Sequence, residues 1–144
     1  MDRQEEQQQH DDKKSLVPAG TGIALICFFL PWIKYSCGGI KTTMSGNDIG
    51  GIIWLVFIAA LVIFISFFYS KNSGKLKALK PIAFWGSIGA LVIILIKYID
   101  FKNGIHTELG DLRPEDIGFT IEYGGYGTLL GFVLSLIGSS YLDK

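Results

Sequence analysis

The stretch that decides the fold runs from Ile49 to Tyr69 and reads IGGIIWLVFIAALVIFISFFY. It contains 21 residues and no charged side chain. A helix of that length is roughly 30 Å long, which matches the hydrocarbon core of a bilayer. Because a backbone in lipid must satisfy its own hydrogen bonds, we predict that this stretch is a membrane-spanning helix.

Three further apolar blocks lie on either side of this stretch, separated by polar segments. Apolar residues make up 49% of the chain, and the mean hydropathy is +0.39. Apolar residues gathered in blocks favour membrane helices over a soluble core. We therefore predict an all-α membrane domain over residues 16–144, a four-transmembrane-helix bundle with spans at about 16–33, 49–69, 81–99 and 124–142.

The first fifteen residues, MDRQEEQQQHDDKKS, are polar and have no apolar periodicity. This composition predicts a disordered cytoplasmic tail over residues 1–15. A secretory signal peptide is the alternative interpretation of residues 16–33. However, an acidic segment precedes this block and no small-x-small cleavage site follows it. We predict a span that is retained.

The segment after the central stretch carries lysines and no acidic residue. A short basic loop between two spans marks the cytoplasmic side. With four spans, both termini then lie in the cytoplasm, and we predict a location in the bacterial inner membrane. A phosphate-ligand site is an alternative, but topology alone explains the charge. We predict contact with anionic lipid headgroups through Lys71, Lys75, Lys77 and Lys80.

The two external loops contain strand-like patterns. The runs Trp32–Ser36 and Ile40–Met44 flank a Gly-Gly pair, which is typical of a hairpin. The segment Ser45–Asp48 resembles a turn that caps the second span. Residues 117–123 alternate between apolar and small or polar side chains, which predicts a strand. We predict that these parts form a small extracytoplasmic β-sheet over the helix ends.

Small residues recur at every fourth position of the fourth span, and a small-xxx-small pair occurs in the third. Helices in lipid associate through close packing, so such residues mark contact surfaces. The small-residue ridge of the fourth span is the strongest candidate for a packing interface, and it is one reason to predict a partner subunit. The predicted helix-packing interface consists of Gly127, Gly131, Ser135 and Ser139, with Gly86 and Ala90 in the third span.

Chemistry-bearing residues are scarce in the predicted spans, where Lys97 at a boundary is the one charged side chain. Ion and proton pathways normally use such groups in mid-membrane. His106 with Glu108 and Asp111 has only a weak metal-ligand spacing. We therefore predict no catalytic residue, no metal, no cofactor and no enzymatic activity. The formal net charge of zero provides no basic field for nucleic acid.

Two cysteines, Cys27 and Cys37, are predicted to be free thiols. Along a helix they would lie about 15 Å apart. A disulfide requires Cα atoms within about 7 Å, so a bridge would need a sharp turn between them. We expect Cys27 to pack within the membrane.

Three short motifs surround the first external loop: Leu30-Pro31-Trp32, Ser36-Cys37-Gly38-Gly39 and Ser45-Gly46. Together they resemble a pattern in small, uncharacterised bacterial membrane proteins with four spans. The resemblance covers the first span and its outer loop, and it implies a topology without an activity. We define the external-loop motif as Trp32, Cys37, Gly38, Gly39 and Gly46.

The layout is also similar to that of claudin-type tetraspans, which combine four helices with an extracellular sheet. Trp32 has a counterpart there, but the Gly-Leu-Trp motif and paired loop cysteines of claudins do not occur in this chain. The similarity therefore concerns layout only.

Three functional hypotheses follow. The first is a structural or accessory subunit of a larger membrane complex, in contact with lipids and with other membrane subunits or a second copy. The second is an oligomeric channel or carrier whose pore is lined by Gly, Ser and Thr. The third is an envelope sensor that uses Cys37 or the acidic external segment.

Overall fold

The computed structural model describes residues 5, 8–9, 12–37, 39–103, 106–107, 110–111 and 118–142. The protein is mostly helical, with a small three-stranded antiparallel sheet. In chain order, the elements are α1 Leu16–Phe28, β1 Pro31–Cys37, β2 Ile40–Ser45, α2 Gly46–Ile49, α3 Ile53–Asn72, α4 Leu76–Asn103, β3 His106–Thr107, β4 Gly110–Asp111, β5 Gly118–Ile121 and α5 Tyr123–Ser139.

The four long helices form a ring in which neighbours run antiparallel. Helix α1 packs against α3 and most extensively against α5, while α4 packs against α3 and α5. The sheet joins the end of α1 to the beginning of α5, since β1 follows α1 and β5 precedes α5. The sheet therefore covers the end of the bundle that is opposite the α3–α4 turn.

Two of the described helices, α3 and α4, are long and apolar enough to cross a membrane, by length and composition only. Helix α1 has 13 residues and helix α5 has 17, so both are shorter than the spans predicted at 16–33 and 124–142. The prediction of a mostly helical protein with a small sheet is confirmed.

The first predicted span is wrong over residues 29–33. Helix α1 ends at Phe28, and β1 begins at Pro31. Proline has no N–H to continue the helical ladder, and it disfavours helical geometry in the residue before it. Trp32 and Ile33 therefore belong to the sheet.

The second predicted span begins too early. Gly50 and Gly51 have φ values of +63° and +58°, a backbone region that favours glycine. These two residues separate the four-residue helix α2 from α3, which begins at Ile53. The predicted turn over Ser45–Asp48 is thus the start of a separate short helix.

The predicted start of the third span at Pro81 is wrong. Helix α4 begins at Leu76 and contains Pro81 in its interior, where the missing N–H leaves the carbonyl of Lys77 without its usual helical donor. Residues 76–80 are good helix formers, and Leu79 is fully buried. Packing of Leu79 explains why the helix extends before the proline.

The sheet has the strand order β2-β1-β5, with both pairs antiparallel. This confirms the predicted hairpin and the predicted pairing of the second external loop with it. Lys34 on the central strand lies between Thr43 of β2 and Thr120 of β5. The register shifts between Pro31 and Ile33, so the strand is irregular at Trp32.

The interior of the helical ring combines large apolar side chains with small and polar ones. For example, Phe132 and Ser87 are both 0% exposed. Large apolar side chains also cover the outside, since Ile26 and Trp85 are each 69% exposed and Leu130 is 62% exposed. Such an apolar exterior differs from that of a typical soluble helical bundle, which has polar side chains on its outer face.

Candidate functional site

The ridge of small residues on α5 packs against α1 of the same chain. A Cβ at Gly131 would lie 2.5 Å from the carbonyl oxygen of Gly20 and 2.9 Å from the amide nitrogen of Ala24. A Cβ at Gly127 would collide with the sulfur of Cys27. The two helix backbones are therefore in close contact along the ridge.

The ridge is therefore a contact surface between two helices of the same chain. Gly131, Ser135 and Ser139 are buried within the chain, with both serines at 0% exposure. The reason is that α1 presents its own small residues, Gly20 and Ala24, at the same level. The complementary helix is thus supplied by the protein itself.

Hydrogen bonds satisfy the hydroxyl groups buried in the bundle. Ser87 of α4 donates to Ser135 of α5 at 3.1 Å, while Ser139 donates to the Leu136 carbonyl at 2.7 Å. Thr21 donates to its own helix in the same way, to the carbonyl of Val17 at 2.9 Å. Among the described residues, no buried side-chain polar atom lacks a partner. The Ser87–Ser135 bond joins two helices, whereas the other two bonds each lie within one helix.

The small pair in the third long helix lies in the interior of the bundle. A Cβ at Gly86 would be 2.9 Å from Cδ1 of Ile63 on α3, and Ala90 is 1% exposed. Gly86 therefore contributes to the contact between α3 and α4.

Trp32 and Gly46 of the external-loop motif both pack onto the end of α1. The Trp32 indole N–H donates to the carbonyl of Cys27 at 3.0 Å, and its ring is 5% exposed. A Cβ at Gly46 would lie 2.8 Å from the carbonyl oxygen of Phe28. Trp32 thus adds a side-chain donor to a carbonyl in the last turn of α1, and the close approach at Gly46 leaves no room for a side chain there.

Two of the remaining motif residues, Cys37 and Gly39, belong to the hairpin. Gly39 has a φ of +89°, which explains the need for glycine in the turn. Cys37 ends β1 opposite Ile40, and Gly38 lies outside the described residues. Cys27 is a free, half-buried thiol.

A capping box at Ser45 begins helix α2. The carboxylate of Asp48 accepts hydrogen bonds from the Ser45 amide at 2.9 Å and from the Ser45 hydroxyl at 2.7 Å. These two bonds hold the pKa of Asp48 below its ordinary value, which keeps the carboxylate charged. The box directs the chain from the sheet back into the bundle.

The four lysines lie around the turn between α3 and α4. Lys71 is in the last turn of α3, Lys75 is in the turn, and Lys77 and Lys80 are in the first part of α4. A shallow depression at this end is lined by Lys14 together with Lys75 and Lys77. The fold thus adds Lys14, from the segment before α1, to the predicted basic surface.

The segment before α1 is attached to the bundle. Residues 12–14 are helical, so the predicted disorder does not apply to them. The ammonium group of Lys13 lies 5.1 Å from the ring centroid of Tyr141, at a distance typical of a cation–π contact. The two termini of the described chain therefore meet at the same end of the bundle.

Most of the predicted acidic external segment lies outside the described residues, including Glu108, Glu115 and Asp116. The backbone of His106 pairs with that of Asp111 in the β3–β4 hairpin. In the part of the chain that the structure describes, no group of three His, Cys, Asp or Glu residues could hold a metal ion.

A cavity that we did not predict lies beneath the sheet, with a volume of about 350 Å³. Its deep wall contains Trp32 and Ile33 of β1, Ile53 of α3 and Ile94 of α4, which are all at most 8% exposed. Lys97 also lines it. The residues that line the cavity belong to β1, α2, α3, α4, β5 and α5.

The residues that line this cavity come from six elements of the fold, so no single stretch of the sequence indicates it. Tyr98 and Tyr126 lie at its edge with Lys97. Their local sequence indicates an interfacial depth. It does not indicate that they surround a common space.

The class defined by these features is a helical bundle with small-residue packing and a sheet at one end. Comparison with protein-family models, with curated proteins and with solved structures finds no match to this chain.

Proposed function

We propose that this protein is a small integral membrane protein with four membrane-crossing helices, which serves as a structural or accessory subunit of a larger membrane complex. One observation carries the membrane placement: large apolar side chains cover the outside of all four long helices. Water would make such a surface costly, whereas lipid surrounds it without penalty.

The shorter helices support the same placement through their exposed faces. Ile26 and Phe29 at the end of α1 are 69% and 57% exposed, and Leu130 and Ile137 of α5 are 62% and 45% exposed. A 13-residue helix is about 20 Å long. Local thinning of the bilayer and the extended residues after α1 accommodate this length.

The two ends of the bundle differ as a membrane protein requires. Lys14, Lys75 and Lys77 gather at the end with the α3–α4 turn, which we place in the cytoplasm. The sheet then lies on the extracytoplasmic face. Both termini are on the cytoplasmic side in this arrangement.

Labelling of single cysteines tests this topology. In a background lacking Cys27 and Cys37, Ile40→Cys lies in the sheet and Ser73→Cys lies in the α3–α4 turn. In intact cells, a membrane-impermeant maleimide is expected to label Ile40→Cys at least tenfold more than Ser73→Cys. After permeabilisation, both should react equally.

Retention of the protein in membranes after an alkaline wash is the accompanying control. Equal labelling of the two cysteines in intact cells, or release of the protein by the wash, would contradict the proposed placement.

The exposed edge of the sheet supports the proposed accessory role, because a partner can pair with it. Strand β2 is at one edge in the order β2-β1-β5, and Ile40 is 74% exposed. Lys41 and Thr42 are also exposed. An edge strand offers backbone N–H and C=O groups to a strand of a partner.

A photo-crosslinking amino acid at Thr42 tests this role, with the same group at Trp85 as the control on the lipid-facing side of α4. We expect a discrete protein adduct from position 42 in native membranes and mainly lipid adducts from position 85. The mass of the adduct separates a second copy from a different subunit. Lipid adducts alone at both positions would contradict an accessory role.

The hypothesis of an oligomeric channel requires a pore lined by Gly, Ser and Thr. The Gly and Ser residues of the ridge pack against α1, so they do not support such a pore. The sensor hypothesis uses Cys37 or the acidic external segment, most of which lies outside the described residues. The exposed edge of the sheet supports the accessory role, which we therefore propose.

A further inference from the structure

We propose that the cavity beneath the sheet binds one acyl chain of an anionic membrane phospholipid, whose headgroup lies against Lys97. This inference rests on the proposed membrane placement, and it adds a specific lipid site to it. Three features support it: the lining of the cavity, the position of its opening and the charge at its edge.

The lining suits a hydrocarbon chain. The volume of about 350 Å³ falls within the range of small-molecule sites. Ile53 is 0% exposed, and Trp32 and Ile33 are each 5% exposed, so the deep wall is enclosed. The indole N–H of Trp32 is already bonded to Cys27. An apolar wall of this kind provides few partners for water.

The opening lies between α4 and α5. Among the lining residues, Leu95, Tyr98 and Tyr126 are 57%, 40% and 54% exposed, whereas the residues from β1 and α3 named above are buried. The cavity therefore opens sideways rather than toward the sheet. In the proposed placement this opening faces lipid, so an acyl chain enters it without crossing water.

The charge at the edge indicates the headgroup. Lys97 lines the cavity, and its side chain is 34% exposed. Asp100 lies 3.6 Å away with a side chain that is 61% exposed. A long, exposed ion pair one turn apart on a helix is weak, so a lipid phosphate can compete for the ammonium group.

Fluorescence quenching of Trp32 tests the proposal. Trp54→Phe and Trp85→Phe leave Trp32 as the only tryptophan, and the full chain is reconstituted in bilayers of unlabelled zwitterionic lipid. Phosphatidylglycerol or phosphatidylcholine with brominated acyl chains is then added as the quencher. We expect saturable quenching, with half-saturation at a fivefold or more lower mole fraction of the anionic lipid.

Two matched pairs of variants locate the site. Lys97→Gln should remove the preference for the anionic headgroup, while Lys102→Gln, outside the lining on the same helix, should retain it. Ile94→Phe narrows the cavity and should reduce quenching by half or more. Ile96→Phe, which is on the exposed face of α4, should leave quenching unchanged.

The outcomes separate this inference from the proposed function. Reconstitution with no quenching of Trp32 beyond that of bulk lipid would overturn the lipid site and leave the membrane placement intact. Equal quenching by both headgroups, unaffected by Lys97→Gln, would overturn the anionic assignment. Failure of the protein to remain with bilayers in flotation would overturn both.

Discussion

Gly131→Leu is expected to prevent α1 and α5 from packing and to abolish the folded bundle. Even a Cβ at this position would lie 2.5 Å from the carbonyl oxygen of Gly20 and 2.9 Å from the amide nitrogen of Ala24. Both obstacles are backbone atoms, which cannot move aside as the end of a side chain can. We expect a loss of at least about 3 kcal/mol in the free energy of unfolding.

Gly89→Leu provides the matched control. Gly89 is also a glycine inside a long helix, but it is exposed, and a Cβ there would meet nothing within 4 Å. Replacing glycine in a helix interior gains up to about 1 kcal/mol in helix propensity. The control should therefore be neutral or slightly more stable.

Thermal unfolding in detergent, with recovery of monodisperse protein as a second measurement, distinguishes the two variants. If Gly131→Leu and Gly89→Leu have similar stability, α1 does not cover the ridge as described. If Gly131→Leu remains folded but loses a partner, the ridge contacts a partner subunit rather than α1.

Phe28→Ala is expected to produce the second large effect, at the junction of bundle and sheet. Phe28 is 1% exposed, and its ring contacts those of Trp32, Trp54 and Phe57 at centroid distances of 6.0, 5.6 and 5.0 Å. Truncation would leave a void where α1, α3 and β1 meet. Substitutions of buried phenylalanine by alanine cost about 3–5 kcal/mol.

Phe29→Ala is the matched control because it is the next residue and is 57% exposed. Its ring has edge contacts with Phe28 and Phe57, so we expect a loss of about 1 kcal/mol. Denaturant titration of the two variants in the same detergent provides the comparison. Equal losses, or a larger loss for Phe29→Ala, would contradict the burial that we assign to Phe28.

These two predictions concern different kinds of packing in one fold. Along the middle of the bundle, α1 and α5 approach through small residues, so substitutions that add volume are the most destabilising. At the sheet end, aromatic rings fill the space around Phe28, so substitutions that remove volume are the most destabilising. In the proposed membrane placement both kinds of packing matter, because close fit replaces the hydrophobic drive between helices in lipid.

Local patterns in the sequence were sufficient for much of the secondary structure. The hairpin followed from a Gly-Gly pair between two strand-like runs, and Gly39 indeed has the positive φ that such a turn uses. Period-two alternation located β5. Helix bounds were less accurate at the two prolines. The predicted first span ran through Pro31, but α1 ends before it, as is usual for proline. At Pro81 the burial of Leu79 outweighed that effect, and the helix begins at Leu76.

The sequence alone also identified the small residues of α5 as a contact surface, because their spacing of four is a local property. Only the tertiary structure decided that Gly20 and Ala24 of α1 occupy that surface, and that residues of several distant elements surround a cavity near Lys97. The physical reason is that hydropathy describes how each segment interacts with its solvent. The choice of neighbour depends on complementary shape between residues that are distant in the chain.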